Sequence, residues 1–263
     1  MNLADYIRER RARRGILLMT HAVVGYPSLE ANRRMLDAMI EADVDLVELQ
    51  LPFSEPVADG PLFVKANLDA LAGGASHGQY WNLFSETAAR APFPVLAMCY
   101  YNSAFRMGHA AFCERLRGSG GRGFIIPDLP REEYGDLEAL SAENGLAAIQ
   151  FFTPTSTDER MMRLAQGARG FVYCVARRGV TGSATELDRG LYDLLARYRR
   201  MTDLPLALGF GIASADEIRR LRGVVDIAIV GSALLRSWER GGEDAYRAHL
   251  NELATARDDC ASS

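Results

Sequence analysis

The stretch LPLALGFGIASADEIRRLRGVVDIAIV, running from Leu204 to Val230, decides how the rest of the chain is read. A short apolar run, Leu204 to Leu208, stops at Gly209-Phe-Gly211. Ser214 then precedes a segment, Ala215 to Leu221, with apolar residues at helical spacing, and a second apolar run follows from Asp226 to Val230. Runs this short, closed by glycine or a polar residue, read as strands, and the unit reads strand, helix, strand. Working outward, the same alternation fills the chain. Six further runs occur at Ile16 to Val24, Asp45 to Leu51, Pro94 to Tyr100, Gly123 to Pro127, Leu146 to Phe152 and Gly170 to Ala176. Helical patterns lie between them over 29–42, 82–90, 110–116, 131–144, 159–166 and 187–200. Ser28, Thr157 and Ser214 stand where an N-cap would accept a hydrogen bond from a free N–H. Eight βα units with no linker or low-complexity tract predict an α/β fold, a closed (β/α)8 TIM barrel forming one domain over residues 1–263, rather than an open doubly wound sheet.

The composition agrees. With 48% hydrophobic and 24% charged residues, the 263-residue chain can bury a large core. A net charge of −4 gives no basic excess for a nucleic-acid surface. Lys65 is the only lysine, so the basic residues are almost all arginine. Cys99, Cys113, Cys174 and Cys260 are too scattered for a metal or redox pair or a dense disulfide framework, and read as reduced thiols. No apolar stretch is long enough to span a membrane. Arg8 to Arg14 followed by Ile16 to Val24 imitates a signal peptide, but Asp5, Glu9, Thr20 and His21 interrupt it. Residues 1–14 therefore read as a capping helix before a buried strand, in a cytoplasmic chain.

In a barrel of this kind, chemistry collects at the carboxyl ends of the strands. The second run, Asp45 to Leu51, puts Leu46, Glu48 and Gln50 on one face and Val47, Leu49 and Leu51 on the other. The apolar set belongs against the helices, so Glu48 and Gln50 point into the lumen. Burial there raises a carboxyl pKa toward that of a usable proton shuttle, although a structural glutamate paired with an arginine fits equally well. The following loop, Pro52 to Pro61, is stiffened by proline and can hold Asp59 over the mouth, or be an ordinary turn. Gly209-Phe-Gly211 and Val230-Gly-Ser232 end the last two strands beside helix N-termini, where barrels bind phosphate. A glycine-bearing loop from Arg177 to Gly182 follows the sixth run and suits a lid.

Taken in order, Val47-Glu-Leu49, the loop Pro52 to Pro61, Ile125 to Pro130, Arg177 to Gly182, Gly209 to Gly211 and Val230 to Ser232 resemble the tryptophan synthase alpha subunit family. The resemblance covers nearly the whole chain. It implies a TIM barrel that cleaves indole-3-glycerol phosphate to indole and glyceraldehyde 3-phosphate, with no organic cofactor and no metal. It also implies a pyridoxal-phosphate beta subunit as partner, in an alpha2beta2 tetramer. By motif, Glu48 matches the family's acid/base glutamate, Asp59 the aspartate that engages the indole N–H, and Tyr173 a tyrosine near the glutamate. Thr181 matches a lid residue that meets Asp59 on closure, within a mobile lid expected over 177–190. Gly182, Gly211, Gly231 and Ser232 match phosphate-binding positions. Tyr100 and Asn102 match pocket positions, while Met98, Ile125, Phe151 and Phe210 suit apolar walls or core packing.

The departures fall close to the chemistry. The family usually has Phe or Tyr where His21 stands, Gly at Gln50, and Asp at Tyr26 and Glu55. His21 and Gln50 therefore predict an indole half of the pocket that is more polar, beside a phosphate half that is kept. Glu55 lies in the loop that meets the beta subunit in the family. The remaining histidines, His77, His109 and His249, read as surface residues. Two rival readings stand beside the lyase of tryptophan synthesis. One is a stand-alone lyase of another pathway; the other is a non-catalytic barrel that activates a beta subunit, which would not need both Glu48 and Asp59.

Overall fold

The computed structural model describes residues 2–176, 187–209 and 211–258. Nine strands form one all-parallel sheet: β1 (Leu17–Val23), β2 (Leu46–Gln50), β3 (Val95–Met98), β4 (Gly123–Ile125), β5 (Ala147–Ala148), β6 (Gln150–Phe152), β7 (Val172–Val175), β8 (Leu206–Gly209) and β9 (Ile227–Val230). Their order is β5-β4-β3-β2-β1-β9-β8-β7-β6. Only Ile149 separates β5, which pairs with β4, from β6, which pairs with β7. The two are halves of one strand, and the sheet closes there. All eight apolar runs are strands of this barrel.

The helices are α1 (Leu3–Arg11), α2 (Leu29–Glu41), α3 (Pro61–Ala72), α4 (His77–Arg90), α5 (Tyr101–Met107), α6 (His109–Gly118), α7 (Leu137–Glu143), α8 (Asp158–Gly167), α9 (Arg189–Arg199), α10 (Ala215–Leu221) and α11 (Ser232–Thr255). Ser28, Thr157 and Ser214 cap α2, α8 and α10 by accepting from backbone N–H groups at 3.1, 3.2 and 3.3 Å. The helix expected over 131–144 is instead a 3-10 turn at 131–133 followed by α7. Gly135, in the left-handed region at φ 56°, breaks the run between them. Of the lid expected over 177–190, residues 177–186 lie outside the described residues, and Arg189 and Gly190 are already the first turn of α9.

Strand parity sorts the core into two parts. Leu17, Met19, Leu46, Leu96, Met98, Ile125, Ile227 and Ile229 fill the lumen, and Leu3 and Ile7 of α1 plug its lower end. Val47, Leu49, Val95, Ala97, Leu208 and Val230 face the helix layer. Below the sheet, fully buried Asp45 accepts the Leu18 N–H at 2.9 Å and bonds to Arg257 at 2.8 Å and Arg10 at 3.0 Å. This cluster ties α1 and the turn after α11 to the start of β2, leaving the opposite end open for the site. Among the described residues no helix is long and apolar enough to cross a membrane.

Candidate active site

At the carboxyl end of the barrel lies a cavity with an empty volume of about 1060 Å³, counted out to its open mouth. Each wall follows from the sheet register. Lumenal parity carries β1 from Leu17 and Met19 to His21, and the β1–β2 pairing sets His21 beside Glu48 and Val23 beside Gln50. Glu48, His21 and Gln50 thus share the lumenal face of two adjacent strands. His21 Nδ1 lies 2.7 Å from Glu48 Oε1, and His21 Nε2 lies 2.7 Å from Gln50 Oε1. Gln50 Nε2 donates to Asp59 Oδ2 at 2.7 Å.

Asp59 is buried at the foot of the proline-stiffened loop, where its own N–H donates to the Pro56 carbonyl at 2.9 Å. Tyr100 supports that loop from beneath. Its hydroxyl accepts the Ala58 N–H at 3.1 Å and bonds Asp59, while its ring stacks on Phe53 at 5.2 Å. Asn67 of α3 adds a second amide, donating to Asp59 Oδ2 at 3.3 Å and to the Phe63 carbonyl at 2.8 Å. Phe63, Ala66, Asn67 and Ala70 form the buried stripe of this helix. A lone asparagine on a helical apolar stripe was the available signal for Asn67; without α3 among the expected helices, it and Phe63 were missed.

Opposite, Met98, Ile125, Pro127, Phe151 and Tyr173 form an apolar slot. The Tyr173 ring packs against Phe151 at 5.1 Å and lies over Gly209, where a Cβ would come within 2.3 Å of the Tyr173 hydroxyl. Gly209 is therefore the residue that admits Tyr173.

The third wall comprises Gly211, Ile212, Gly231 and Ser232. Here the two helix starts differ. The first turn of α10 is closed by its own capping box, Ser214 with Glu217, and Glu217 also accepts the Ala213 and Ser214 N–H groups at 2.7 and 2.9 Å. The start of α11 has Gly231 at its N-cap and no side-chain cap, so its N–H groups are the ones available to an anion. At the α10 junction the capping box thus takes the Ala213, Ser214 and Glu217 N–H groups, while Gly211 itself lines the cavity. Arg236 donates to Ser232 Oγ at 3.3 Å, adding positive charge at that end. A Cβ on Gly231 would meet Phe63 at 2.9 Å and the His21 Cβ at 3.2 Å, so this glycine brings the anion-facing wall against the carboxyl wall.

Burial sets the titration of these groups. It drives the Asp59 pKa above the ordinary carboxyl value, against the lowering effect of the Gln50 amide and His21. Burial would depress His21, but the Glu48 carboxylate, with Asp59 and Gln50, outweighs it and holds the imidazole above its usual value. Burial, reinforced by Glu48 and Asp59, pushes Tyr173 far up, so it stays a neutral phenol. The site can therefore exchange a proton through Glu48, accept an N–H at Asp59, hold a flat apolar ring between them and bind an anion at α11.

Of the residues singled out in the sequence, Glu48, Asp59, His21, Tyr173, Ile125, Gly211, Gly231 and Ser232 line the cavity together. Gln50 and Tyr100 are fully buried behind it and act through Asp59 and His21. Asn102 faces an outer groove with Pro52, Phe53 and Arg106 instead. Thr181, Gly182 and Phe210 lie outside the described residues. His77 is exposed as expected, but His109 and His249 are half-buried, bonded to Tyr101 and Asp136 and to Ser237 and the Ala213 carbonyl. Among the described residues no group of three or more His, Cys, Asp or Glu side chains is placed to hold a metal ion.

The profile of a family described as tryptophan synthase alpha chain matches residues 7–261. The tryptophan synthase alpha chain of Syntrophotalea carbinolica is 45% identical over 251 residues, covering 95% of this chain and 99% of that one. That of Desulforapulum autotrophicum is 45% identical over 253 residues, covering 96% and 100%. A solved structure of Mycobacterium tuberculosis tryptophan synthase superposes with a TM-score of 0.89 at 30% identity, covering 97% of each chain. A solved Aquifex aeolicus protein gives 0.90 at 30% identity, covering 98% of this chain and all of the other. A barrel with two carboxyl groups and an uncapped helix start at its mouth, matched end to end by these relatives, belongs to the tryptophan synthase alpha chain family, the carbon–carbon lyases that cleave indole-3-glycerol phosphate in tryptophan biosynthesis.

Proposed function

We propose that this mouth is where indole-3-glycerol phosphate is split into indole and glyceraldehyde 3-phosphate, by a one-domain, cytoplasmic enzyme. The observation that carries the reading is the placement of Glu48 and Asp59 on one wall of a cavity whose other walls are an apolar slot and the free start of α11. The indole ring lies in the slot of Met98, Ile125 and Phe151, with its N–H on Asp59. The phosphate sits on Gly211, Gly231 and Ser232, where backbone N–H groups and the helix dipole meet it. Glu48 exchanges protons with indole C3 and with the hydroxyl of the adjoining glycerol carbon as the bond between those carbons breaks. Tyr173 borders Glu48 and keeps water from it. The resemblance assigns Thr181 and Phe210 to the substrate and Gly182 to the phosphate; all three lie outside the described residues.

The partner is a tryptophan synthase beta subunit, in an alpha2beta2 assembly. Pyrococcus furiosus supplies a structural neighbour solved as a tryptophan synthase complex, with a TM-score of 0.83 at 27% identity. Beside the cavity mouth of the present chain, the outer groove of Pro52, Phe53, Asn102 and Met107 is flanked by exposed Glu55 and by Val57 and Phe105, 69% and 61% exposed. Exposed apolar residues around a groove suit burial by a partner. Indole release from indole-3-glycerol phosphate by the purified chain, with and without the beta subunit of the same organism, tests both parts. Glu48→Gln is expected to reduce release by about 10²- to 10⁴-fold. Well-folded wild-type protein that releases no indole in either condition refutes the reading.

A further inference from the structure

The amides between Glu48 and Asp59 fix where their hydrogens are. Asn67 Oδ1 accepts the Phe53 N–H at 3.0 Å and Asn67 Nδ2 donates to the Phe63 carbonyl at 2.8 Å, so main-chain groups set this amide's orientation. Gln50 must then turn Nε2 toward Asn67 Oδ1 at 3.3 Å and Asp59 Oδ2 at 2.7 Å, because an oxygen there would face two acceptors. Gln50 Oε1 is left against His21 Nε2, which therefore carries a hydrogen. The other ring nitrogen, Nδ1, lies 2.7 Å from Glu48 Oε1. That contact needs one proton, held either as imidazolium against carboxylate or as neutral ring against carboxylic acid. With none, two lone pairs would face each other across it.

We propose that His21 is a positioning residue that shares one proton with Glu48, and that Gln50 ties this pair to Asp59, so that the two carboxyl groups respond to substrate as one hydrogen-bonded unit. What Glu48 does with substrate rests on the lyase reading; where the proton sits rests on hydrogen-bond geometry alone. With Oε1 held by the ring, Oε2 is the oxygen that meets substrate. Beyond the proton shared between Nδ1 and Oε1, cleavage needs a second one, which solvent supplies to Oε2 before reaction; indole C3 takes it from Oε2, and the C3–glycerol carbon bond breaks with its electron pair returning to the ring. The hydroxyl O–H pair becomes the aldehyde C=O, and the hydroxyl proton returns to Oε2. One proton is given and one regained, so the Nδ1 proton is not consumed. His21 is faced by Glu48 and Gln50 from β2, Asp59 from the following loop, the Phe63 ring of α3 at 4.5 Å and Gly231 after β9. Glu48 in turn feels Tyr173 of β7.

Selective ¹⁵N labelling of the histidines in the full chain reads the shared proton without turnover, the His21 signals being assigned by their loss in His21→Phe. Nε2 is expected to stay protonated throughout, while Nδ1 keeps its proton above the ordinary titration point of 6.5. Glu48→Gln is expected to bring that titration down by about one pH unit or more. Identical His21 titration in wild type and Glu48→Gln overturns the shared proton. In turnover, kcat/KM of the wild type falls on the alkaline side as the shared proton is lost. His21→Asn, whose amide still donates to Glu48 without titrating, is expected to shift or remove that limb while keeping kcat within about tenfold. His21→Phe, which cannot donate, is expected to lose on the order of 100-fold. An alkaline limb unchanged in both variants overturns the role of His21. Wild-type protein that shows the shared proton but cleaves no substrate sinks the lyase reading and leaves the pair standing, so the two failures are told apart.

Discussion

Replacing His21 by Phe and Gln50 by Gly, singly and together, asks whether the two departures from the family pattern form one energetic unit. Gln50 is completely buried and the His21 side chain is 7% exposed, so groups stranded here do not recover full hydration. Gln50→Gly removes the acceptor of the His21 Nε2–H and one donor to Asp59. His21→Phe strands Gln50 Oε1 and leaves Glu48 Oε1 without its ring partner. Each stranded buried polar group costs about 1–3 kcal/mol, toward the low end where water enters the vacated space. The double variant deletes the His21–Gln50 bond from both ends, and the Phe ring extends toward space the glutamine side chain vacated. The sum of the single losses should therefore exceed the double loss by about 1–3 kcal/mol. Reversible urea unfolding of the four proteins, followed by circular dichroism and compared only if the m values agree, measures this difference. Additivity within about 0.5 kcal/mol would mean the bond carries no shared energy, and the coupling argued from geometry would be wrong.

Gly209→Ala forces the Tyr173 ring off its seat, since the new Cβ would come within 2.3 Å of it; the expected loss is about 1–3 kcal/mol of stability together with a fall in indole release, and unchanged kcat would refute the role given to this glycine. Stability should depend on pH through His21. Its folded pKa is raised, so its contribution is complete below 6.5 and is lost as pH rises through the folded value. The melting temperature of the wild type relative to His21→Phe should therefore be greatest near about pH 6 and shrink toward pH 9; a difference that grows would contradict the sign. At the closed end of the barrel, Asp45→Asn leaves Arg257 and Arg10 without their buried carboxylate and should cost about 3–5 kcal/mol in urea unfolding, a loss below 1 kcal/mol being incompatible with the pairing described.

The alternation of short apolar runs with helical patterns made the barrel legible because each strand buries both faces, which leaves a run of apolar residues in the sequence whatever lies beside it. Parity then placed Glu48 and Gln50 in the lumen without any knowledge of the neighbours. Helix α3 escaped because its start is Gly60, which has no side chain to cap with, followed by proline, and this reads as loop continuing from the preceding turn. Likewise, the two glycine clusters looked equivalent as anion sites. Only side-chain placement showed that Glu217 takes the Ala213 and Ser214 N–H groups just before α10, whereas the start of α11 has no side-chain cap.

The order of strands and the lumenal face of β2, with Glu48 on it, were thus legible in the sequence alone, because they depend on local periodicity; Asp59, in a loop without periodicity, was matched only through the family resemblance. What the histidine and glutamine do there was decided by tertiary structure. His21 and Glu48 stand 27 positions apart and meet only because β1 and β2 pair in that register. Asn67, on a helix packed beside that strand pair, is what fixes the Gln50 amide and with it the proton on the ring. Hydrogen-bond direction depends on which acceptors surround a group in space, and no periodicity along the chain encodes that.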